Sequence, residues 1–124
     1  MDVAHTAIWV SDLETSREFF VDTLGLEELR SYTRKGIENV VVGGERAGIQ
    51  LRTEPDRAVP PERRERMDHV ALSVEGIDAL CDRLDAETDH EVFRPPETLE
   101  DLGVRIAFVE APDGYAVELV AELG

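Results

Sequence analysis

The chain has 124 residues, 42% of them hydrophobic, which suffices for one domain whose core needs no disulfide or structural metal. Acidic residues number 28 against 13 basic ones, and the resulting net charge of −15 at pH 7 argues against a nucleic-acid partner. No apolar run reaches the roughly 20 residues of a membrane span and the N-terminus lacks a signal-peptide pattern, so we expect a cytoplasmic protein with no membrane partner.

The first half of the chain predicts a βαβββ unit. Residues 3–10 alternate as a strand, and Ser11 with Glu14 forms a capping-box signature ahead of a helix that ends at Gly25. Three short strands follow at residues 27–33, 37–42 and 47–53, separated by turns at Lys35-Gly36 and in the Gly43-Gly44 region.

The same pattern restarts after a surface linker. Residues 55–66 contain three prolines and a cluster of Arg and Glu without an apolar face, which predicts the linker. Then come a strand at residues 69–74, a helical stripe of Ile77, Leu80, Cys81 and Leu84, and strands near 90–93, 104–110 and 115–121, the last two joined by a turn at 111–114. We predict one domain over residues 1–124, with module one at about 1–54 and module two at about 67–124.

Two side features follow from composition. The acidic residues are spread through every segment and Lys35 is the only lysine, which is typical of halophilic proteins, where high salt screens the repulsion between like charges. The single Cys81 cannot form an internal disulfide and lies in an apolar helical stripe, so we expect a buried, inert thiol.

Polar residues recur at matching positions of the two halves. Ala4-His5-Thr6-Ala7 corresponds to Asp68-His69-Val70-Ala71, and Ile49-Gln50-Leu51 corresponds to Val117-Glu118-Leu119. Since side chains alternate along a strand, each polar residue falls on the face opposite the apolar row that carries the helix. The pattern predicts a divalent-metal site formed by His5, Gln50, His69 and Glu118, in which nickel, zinc, cobalt, manganese or iron would suit the ligands.

Simpler interpretations exist for each residue alone. A single strand histidine is commonly hydrogen-bonded in a core, and Gln50 or Glu118 could be an ordinary solvated strand residue. The matching parity in both repeats favours the metal site. Trp9 shares the face of His5 and is a candidate wall of a substrate cavity, and Arg52 shares the face of Gln50 and could bind an anionic substrate group or remain solvated.

The run Asp68-His69-Val70-Ala71-Leu72-Ser73-Val74, the later run from Ile106 through Pro112-Asp113-Gly114-Tyr115 to Glu118-Leu119, and Leu24-Gly25-Leu26 resemble glyoxalase I of the vicinal oxygen chelate superfamily. The resemblance covers nearly the whole chain. It implies an α+β fold of two βαβββ modules forming a cupped, partly closed mixed sheet, commonly in a homodimer. It also places His5, Gln50, His69 and Glu118 on the family's four metal positions.

The resemblance implies a lyase or isomerase that acts on the hemithioacetal of a 2-oxoaldehyde such as methylglyoxal and a thiol, through an enediolate. Glu118 would be the catalytic base. Two positions depart from the family pattern. Gln50 stands where a second glutamate is usual and cannot take a proton, and Trp9 stands where an arginine binds glutathione, so the thiol is left open.

Two other activities fit the same four residues. A methylmalonyl-CoA epimerase-like enzyme would need a base on each face of its substrate, and Glu38, a candidate for the second base, is one residue out of register. A non-catalytic binding protein of the bleomycin-resistance type would use the same cavity without a metal, but retention of four potential ligands argues against it. Ring-cleaving dioxygenases of the superfamily use two His and one Glu around iron, in longer chains.

Overall fold

The computed structural model describes residues 5–54 and 67–124, so the predicted linker at 55–66 lies outside the described residues. The chain divides into two compact units, Met1–Pro61 and Glu62–Gly124. Each unit is a βαβββ arrangement with its own four-stranded mixed sheet, which confirms the predicted α+β fold of two similar modules. Across both described ranges, no helix has the length and apolar character needed to cross a membrane.

The first unit places its first strand beside its last. Strands β1 and β4 pair in parallel, and the sheet order is β1-β4-β3-β2 with antiparallel neighbours elsewhere. The elements are β1 (His5–Trp9), helix α1 (Leu13–Arg17), β2 (Glu27–Arg34), β3 (Ile37–Gly43) and β4 (Gly48–Thr53). The strand of His5 therefore adjoins the strand of Gln50.

The β2–β3 hairpin has the predicted two-residue turn. Lys35 and Gly36 have φ angles of 53° and 79°, and a type I′ turn requires this left-handed conformation at both positions. The turn sets the register of β2 on β3, which places Tyr32 opposite Asn39.

Helix α1 is capped by Asp12 and not by Ser11. The Asp12 carboxylate accepts a hydrogen bond of 2.9 Å from the backbone N–H of Thr15, and Asp12 has the extended backbone of a capping residue. Glu14, expected to complete the capping box, instead binds the Arg17 guanidinium at 2.6 Å. The capping-box prediction was wrong by one residue, because the carboxylate of Asp12 takes the role assigned to the Ser11 hydroxyl.

The Asp12 cap predicts a pH-dependent contribution to stability. The hydrogen bond from Thr15 holds the pKa of the Asp12 carboxyl below its ordinary value. Stabilisation from the charged carboxylate is therefore present at neutral pH and lost as pH falls through that lowered pKa. We expect Asp12→Ala to lower the thermal unfolding midpoint at about pH 7 and to have little effect at strongly acidic pH.

Asp12→Asn is the matched control, because asparagine caps a helix as well as aspartate but does not titrate in this range. Its midpoint should stay near that of the wild type at neutral pH. If Asp12→Ala and Asp12→Asn lowered the midpoint equally at neutral pH, the hydrogen bond would not be the source of the stability.

Helix α1 continues into a π-helical turn, Glu18–Thr23, where the sequence predicted one α-helix. The Leu24 N–H donates to the Phe19 carbonyl five residues earlier, at 2.9 Å. Phe19 and Phe20 are each 1% exposed and meet edge to face with ring centroids 5.0 Å apart. Consecutive side chains of a regular α-helix point about 100° apart and therefore do not normally share one face. In the wider π-helical turn, both Phe19 and Phe20 are buried. Gly25, with φ of 94°, follows the helix as predicted.

The second unit repeats this topology. Its sheet order is β5-β8-β7-β6, again with the first and last strands parallel and the other neighbours antiparallel. The elements are β5 (Val70–Ser73), helix α2 (Ile77–Glu87), β6 (Val92–Leu99), β7 (Val104–Glu110) and β8 (Ala116–Glu122). A 3₁₀ turn at Pro112–Gly114 joins β7 to β8 where the sequence predicted a turn.

Strand β6 is longer than predicted. The expected strand near residues 90–93 stopped before Pro95 and Pro96, but β6 continues through both prolines to Leu99. Because β6 is an edge strand and its pairing with β7 shifts between Arg94 and Glu97, the prolines fall in an irregular stretch that needs no N–H donor.

Each helix packs on the apolar face of its own sheet. Helix α1 contacts β3 and β4, and α2 contacts β6, β7 and β8. Cys81 of α2 is 2% exposed, which confirms its predicted burial. This burial raises the pKa of the Cys81 thiol. The least exposed side chains on these faces include Val42, Leu51, Leu84, Val117 and Leu119.

Candidate functional site

His5 and Gln50 lie on adjacent parallel strands of the first unit. Ala7 pairs with Gln50 and His5 with Gly48, so His5 and Gln50 share one face of the sheet. Ile8 and Leu51, which point to the other face, are 6% and 0% exposed. The structure therefore places both predicted ligands of this unit on the face opposite the helix, as the strand parity predicted.

The Gln50 amide is held in a defined orientation. Its Nε2 donates to the Tyr32 hydroxyl and to the Asn39 Oδ1, each at 2.8 Å, and Gln50 is only 8% exposed. Both hydrogens of the amide nitrogen are thus directed at protein acceptors. The Oε1 atom, the side-chain atom of Gln50 that can act as a cation ligand, takes part in neither bond.

Asn39 is the centre of this polar network, although the strand pattern did not mark it as a site residue. Asn39 is 2% exposed, and its Nδ2 donates to the Ile37 carbonyl at 3.0 Å. Its Oδ1 accepts from Gln50 and also from Arg52 Nε, at 3.0 Å. A signal was available, because asparagine is depleted in strands and Asn39 precedes the apolar run of residues 40–42.

Trp9 and Arg52 form a stacked pair beside this network. They are direct partners across β1 and β4, and the Arg52 guanidinium carbon lies 4.9 Å from the centroid of the Trp9 ring. Arg52 is half-buried, so it is held by Trp9 and Asn39 and is not an ordinary solvated arginine. On the far strand of the same sheet, Arg30 lies 5.8 Å from the Tyr32 ring.

In the second unit the structure brings His69 and Glu118 together. The His69 Nε2 lies 3.7 Å from Glu118 Oε1, and the Nδ1 of His69 lies 2.7 Å from Asp68 Oδ1. Because a carboxylate can only accept, Nδ1 carries the hydrogen of this bond, which leaves Nε2 facing Glu118. Nε2 is therefore the ring nitrogen that carries the lone pair.

An aromatic and cationic surface adjoins this pair, and it too was missed from the sequence. The Phe108 ring packs edge to face with His69 at 5.8 Å between centroids, and Phe93 lies equally far from Phe108. The Arg94 guanidinium carbon is 5.6 Å from the Phe108 centroid. Cross-strand register brings these side chains together, since Phe108 pairs with both Glu118 and Arg94.

The two pairs of predicted ligands occupy equivalent positions. In each unit an alanine two residues after the histidine pairs in parallel with the second ligand, Ala7 with Gln50 and Ala71 with Glu118. Within each described unit the predicted ligands form a pair, and no group of three or more His, Cys, Asp or Glu arranged to hold a metal is found among the described residues.

Glu38, the possible second base of an epimerase, lies on the wrong face. It pairs with Thr53, whereas the next residue, Asn39, pairs with Arg52, so the two pairs lie on opposite faces of the sheet. Glu38 and Thr53 instead line a cavity of about 520 Å³ on the helix side of the first sheet, with Asp12, Glu14, Arg17 and Glu28 among its other walls. This cavity is separated from the Gln50 face by the sheet itself.

The sequence of the chain matches a known protein family over most of its length. Residues 2–119 match the model of the Glyoxalase/Bleomycin resistance protein/Dioxygenase superfamily. The match spans nearly the whole chain, so the chain belongs to this superfamily, as the resemblance predicted.

Known relatives and structures agree with this assignment. A probable lactoylglutathione lyase from Synechocystis sp. is 35% identical over 126 residues, which covers 97% of this chain and 95% of that protein. The structure of a trypanothione-dependent glyoxalase I from Leishmania major is 27% identical, with a TM-score of 0.79 over 98% of this chain and 87% of that one. The antibiotic-binding protein TnmS3 from Streptomyces sp., 22% identical with a TM-score of 0.79 over 98% and 96% of the two chains, shares the fold.

Proposed function

We propose that the protein is a metal-dependent glyoxalase I-like lyase or isomerase that converts the hemithioacetal of a 2-oxoaldehyde and a thiol into a 2-hydroxyacyl thioester through an enediolate. Relatives named lactoylglutathione lyase at 30% identity or more support this class of reaction. The observation that carries the proposal is a repeated pairing: Ala7, two residues after His5, pairs with Gln50, and Ala71, two residues after His69, pairs with Glu118.

The donor atoms fit a divalent ion. The His69 Nε2 is freed by the hydrogen bond of Nδ1 to Asp68, and the Gln50 carbonyl oxygen is freed by the two bonds of its amide nitrogen. Together with His5 and Glu118, these supply imidazole and oxygen ligands of the kind that nickel, zinc, cobalt, manganese and iron accept. When bound, the ion would act as a Lewis acid that stabilises negative charge on the substrate oxygens.

Glu118 is the proposed base. The reaction removes a proton from the carbon that carries sulfur and returns a proton to the neighbouring carbonyl carbon, so one carboxylate can serve both steps. Gln50 cannot take a proton, which leaves the transfer to Glu118. His69 Nε2 lies 3.7 Å from this carboxylate, and the Phe108 ring packs against His69 on the same side.

The substrate surfaces differ between the two units. The Trp9–Arg52 pair offers an aromatic face and a cation, which suits a flat or acidic group of the thiol. Phe93, 48% exposed, and Phe108 offer apolar area beside Arg94. We propose these as substrate-binding residues for a thiol whose identity an assay with several thiols would settle.

Metal binding should raise stability strongly. We expect nickel, zinc, cobalt or manganese at about 1,000 times its Kd to stabilise the wild-type chain by about 4 kcal/mol, seen as a rise in Tm of about 10 °C or more. The measurement combines elemental analysis with thermal unfolding, on protein purified in high salt without a metal-binding tag.

The His5→Ala/His69→Ala variant is the control, and it should contain no stoichiometric metal and gain no stability. Absence of metal from the wild type, with no rise in Tm on adding any of the four ions, would contradict the proposal. In that case a metal-free binding protein would become the better interpretation.

The alternatives are less well supported. An epimerase needs a second base on the substrate face, and Glu38 points to the helix side of its sheet.

A homodimer is the proposed assembly. Mixing inactive Glu118→Ala and His5→Ala chains addresses it: recovered activity would assign the ligands to two subunits, and no recovery after verified subunit exchange would assign them to one.

A further inference from the structure

We infer that Asn39 is a positioning residue whose buried side-chain amide orients the Gln50 carbonyl oxygen as a metal ligand. The same Asn39 oxygen also accepts a hydrogen bond from the Arg52 guanidinium, which stacks on Trp9. The inference rests on the proposed function, because it assigns Asn39 a role in building the metal site. Asn39 is itself neither a proposed metal ligand nor the proposed base.

The orientation follows from donor and acceptor chemistry, beginning at Arg52. Arginine is only a donor, so the Asn39 atom 3.0 Å from Arg52 Nε must be the acceptor Oδ1. The Gln50 atom 2.8 Å from that same oxygen must then be the donor Nε2. The Ile37 carbonyl supports the arrangement by accepting from the Asn39 Nδ2.

The burial of both side chains stabilises this orientation of the Gln50 amide. Asn39 is 2% exposed and Gln50 is 8% exposed, so water cannot readily replace the bonds that they exchange. A reversed Gln50 amide would set two oxygens against each other and turn Nε2 toward the metal position. The network therefore selects the one amide orientation in which Gln50 can bind a cation.

The test measures metal affinity by calorimetric titration of the full chain with whichever of nickel, zinc, cobalt or manganese binds the wild type. We expect Asn39→Leu, which removes the acceptor, to weaken binding about 10- to 100-fold, the usual effect of losing a partner that orients a ligand. Asn39→Asp keeps an acceptor toward Gln50 and Arg52 but cannot donate to the Ile37 carbonyl, so it should weaken binding less than Asn39→Leu does. Thr53→Val, a change at a 5% exposed polar residue on the helix side, is the matched control and should leave affinity unchanged.

A double-mutant cycle separates positioning from general damage. In a Gln50→Ala background, Asn39→Leu should weaken metal binding no further, because its effect passes through Gln50. Trp9 is the only tryptophan, and its emission should change in Asn39→Leu, which releases Arg52, but not in Gln50→Ala. If Asn39→Leu does not fold, Asn39→Ala removes the same acceptor without adding bulk and should weaken binding by a comparable factor.

The outcomes distinguish this inference from the proposed function. Metal binding that depends on His5 and His69 but is unaffected by Asn39→Leu, or by Asn39→Ala where the first variant does not fold, would overturn the inference alone. An Asn39→Leu effect of the same size in the Gln50→Ala background would also overturn it. A wild-type chain that binds none of the four ions would overturn both.

Discussion

Replacing Glu118 with glutamine is expected to lower kcat for hemithioacetal isomerisation by about 10²- to 10⁴-fold while leaving the bound metal in place. Glutamine keeps an oxygen that can act as a ligand, but it cannot accept the proton that the reaction moves. The fold should be unaffected, because Glu118 lies on the polar face of β8 and its buried neighbours Val117 and Leu119 are unchanged. Initial rates at saturating substrate and elemental analysis of the same preparations test this prediction.

Glu110→Gln provides the control for the loss of one negative charge. Glu110 is exposed, lies in the same unit and pairs with Ala116 at the end of β7. Its activity should remain near that of the wild type. Full activity in Glu118→Gln would assign the base to another residue, and loss of metal together with activity would mean that Glu118 is required mainly as a charged ligand.

Replacing the adjacent Leu119 with alanine is expected to lower stability and to leave activity nearly unchanged. Leu119 is fully buried on the helix side of β8, and its truncation should lower the free energy of unfolding by about 2–5 kcal/mol through lost burial and a residual cavity. Activity per folded molecule should stay close to that of the wild type. Two residues next to each other in sequence would thus separate catalysis from stability, because their side chains point to opposite faces.

Denaturant unfolding in high salt, where the charge of −15 is screened, gives the comparison its cleanest baseline. Leu51→Ala, at the equivalent buried position of the first unit, should cost a similar amount, whereas Leu123→Ala, at a 51% exposed residue, should cost little. A loss below about 1 kcal/mol for both Leu51→Ala and Leu119→Ala would mean that these leucines do not carry the cores of the two units.

Much of the fold was predictable because the spacing of apolar residues along the chain indicates its strands and helices. Alternation defined the strands around His5 and Glu118, helical spacing defined α2, and left-handed residues at Lys35-Gly36 formed the predicted hairpin turn. The same alternation assigned Gln50 to the face opposite Leu51. These features depend on neighbours along the chain, so the sequence alone was sufficient to determine them.

Other features depended on which residues meet in space. The strand predicted near residues 90–93 was too short, because an edge position that tolerates Pro95 and Pro96 cannot be recognised before the strand order is known. Asn39 is 11 residues from Gln50 and 13 from Arg52, and only the pairing of β3 with β4 brings the three together. The contacts of Phe108 with His69 and Arg94 likewise arise from strand register. Local sequence determined the strands and their faces, whereas the tertiary structure decided which side chains on each face are partners, because hydrogen bonds and ring contacts depend on register between distant segments.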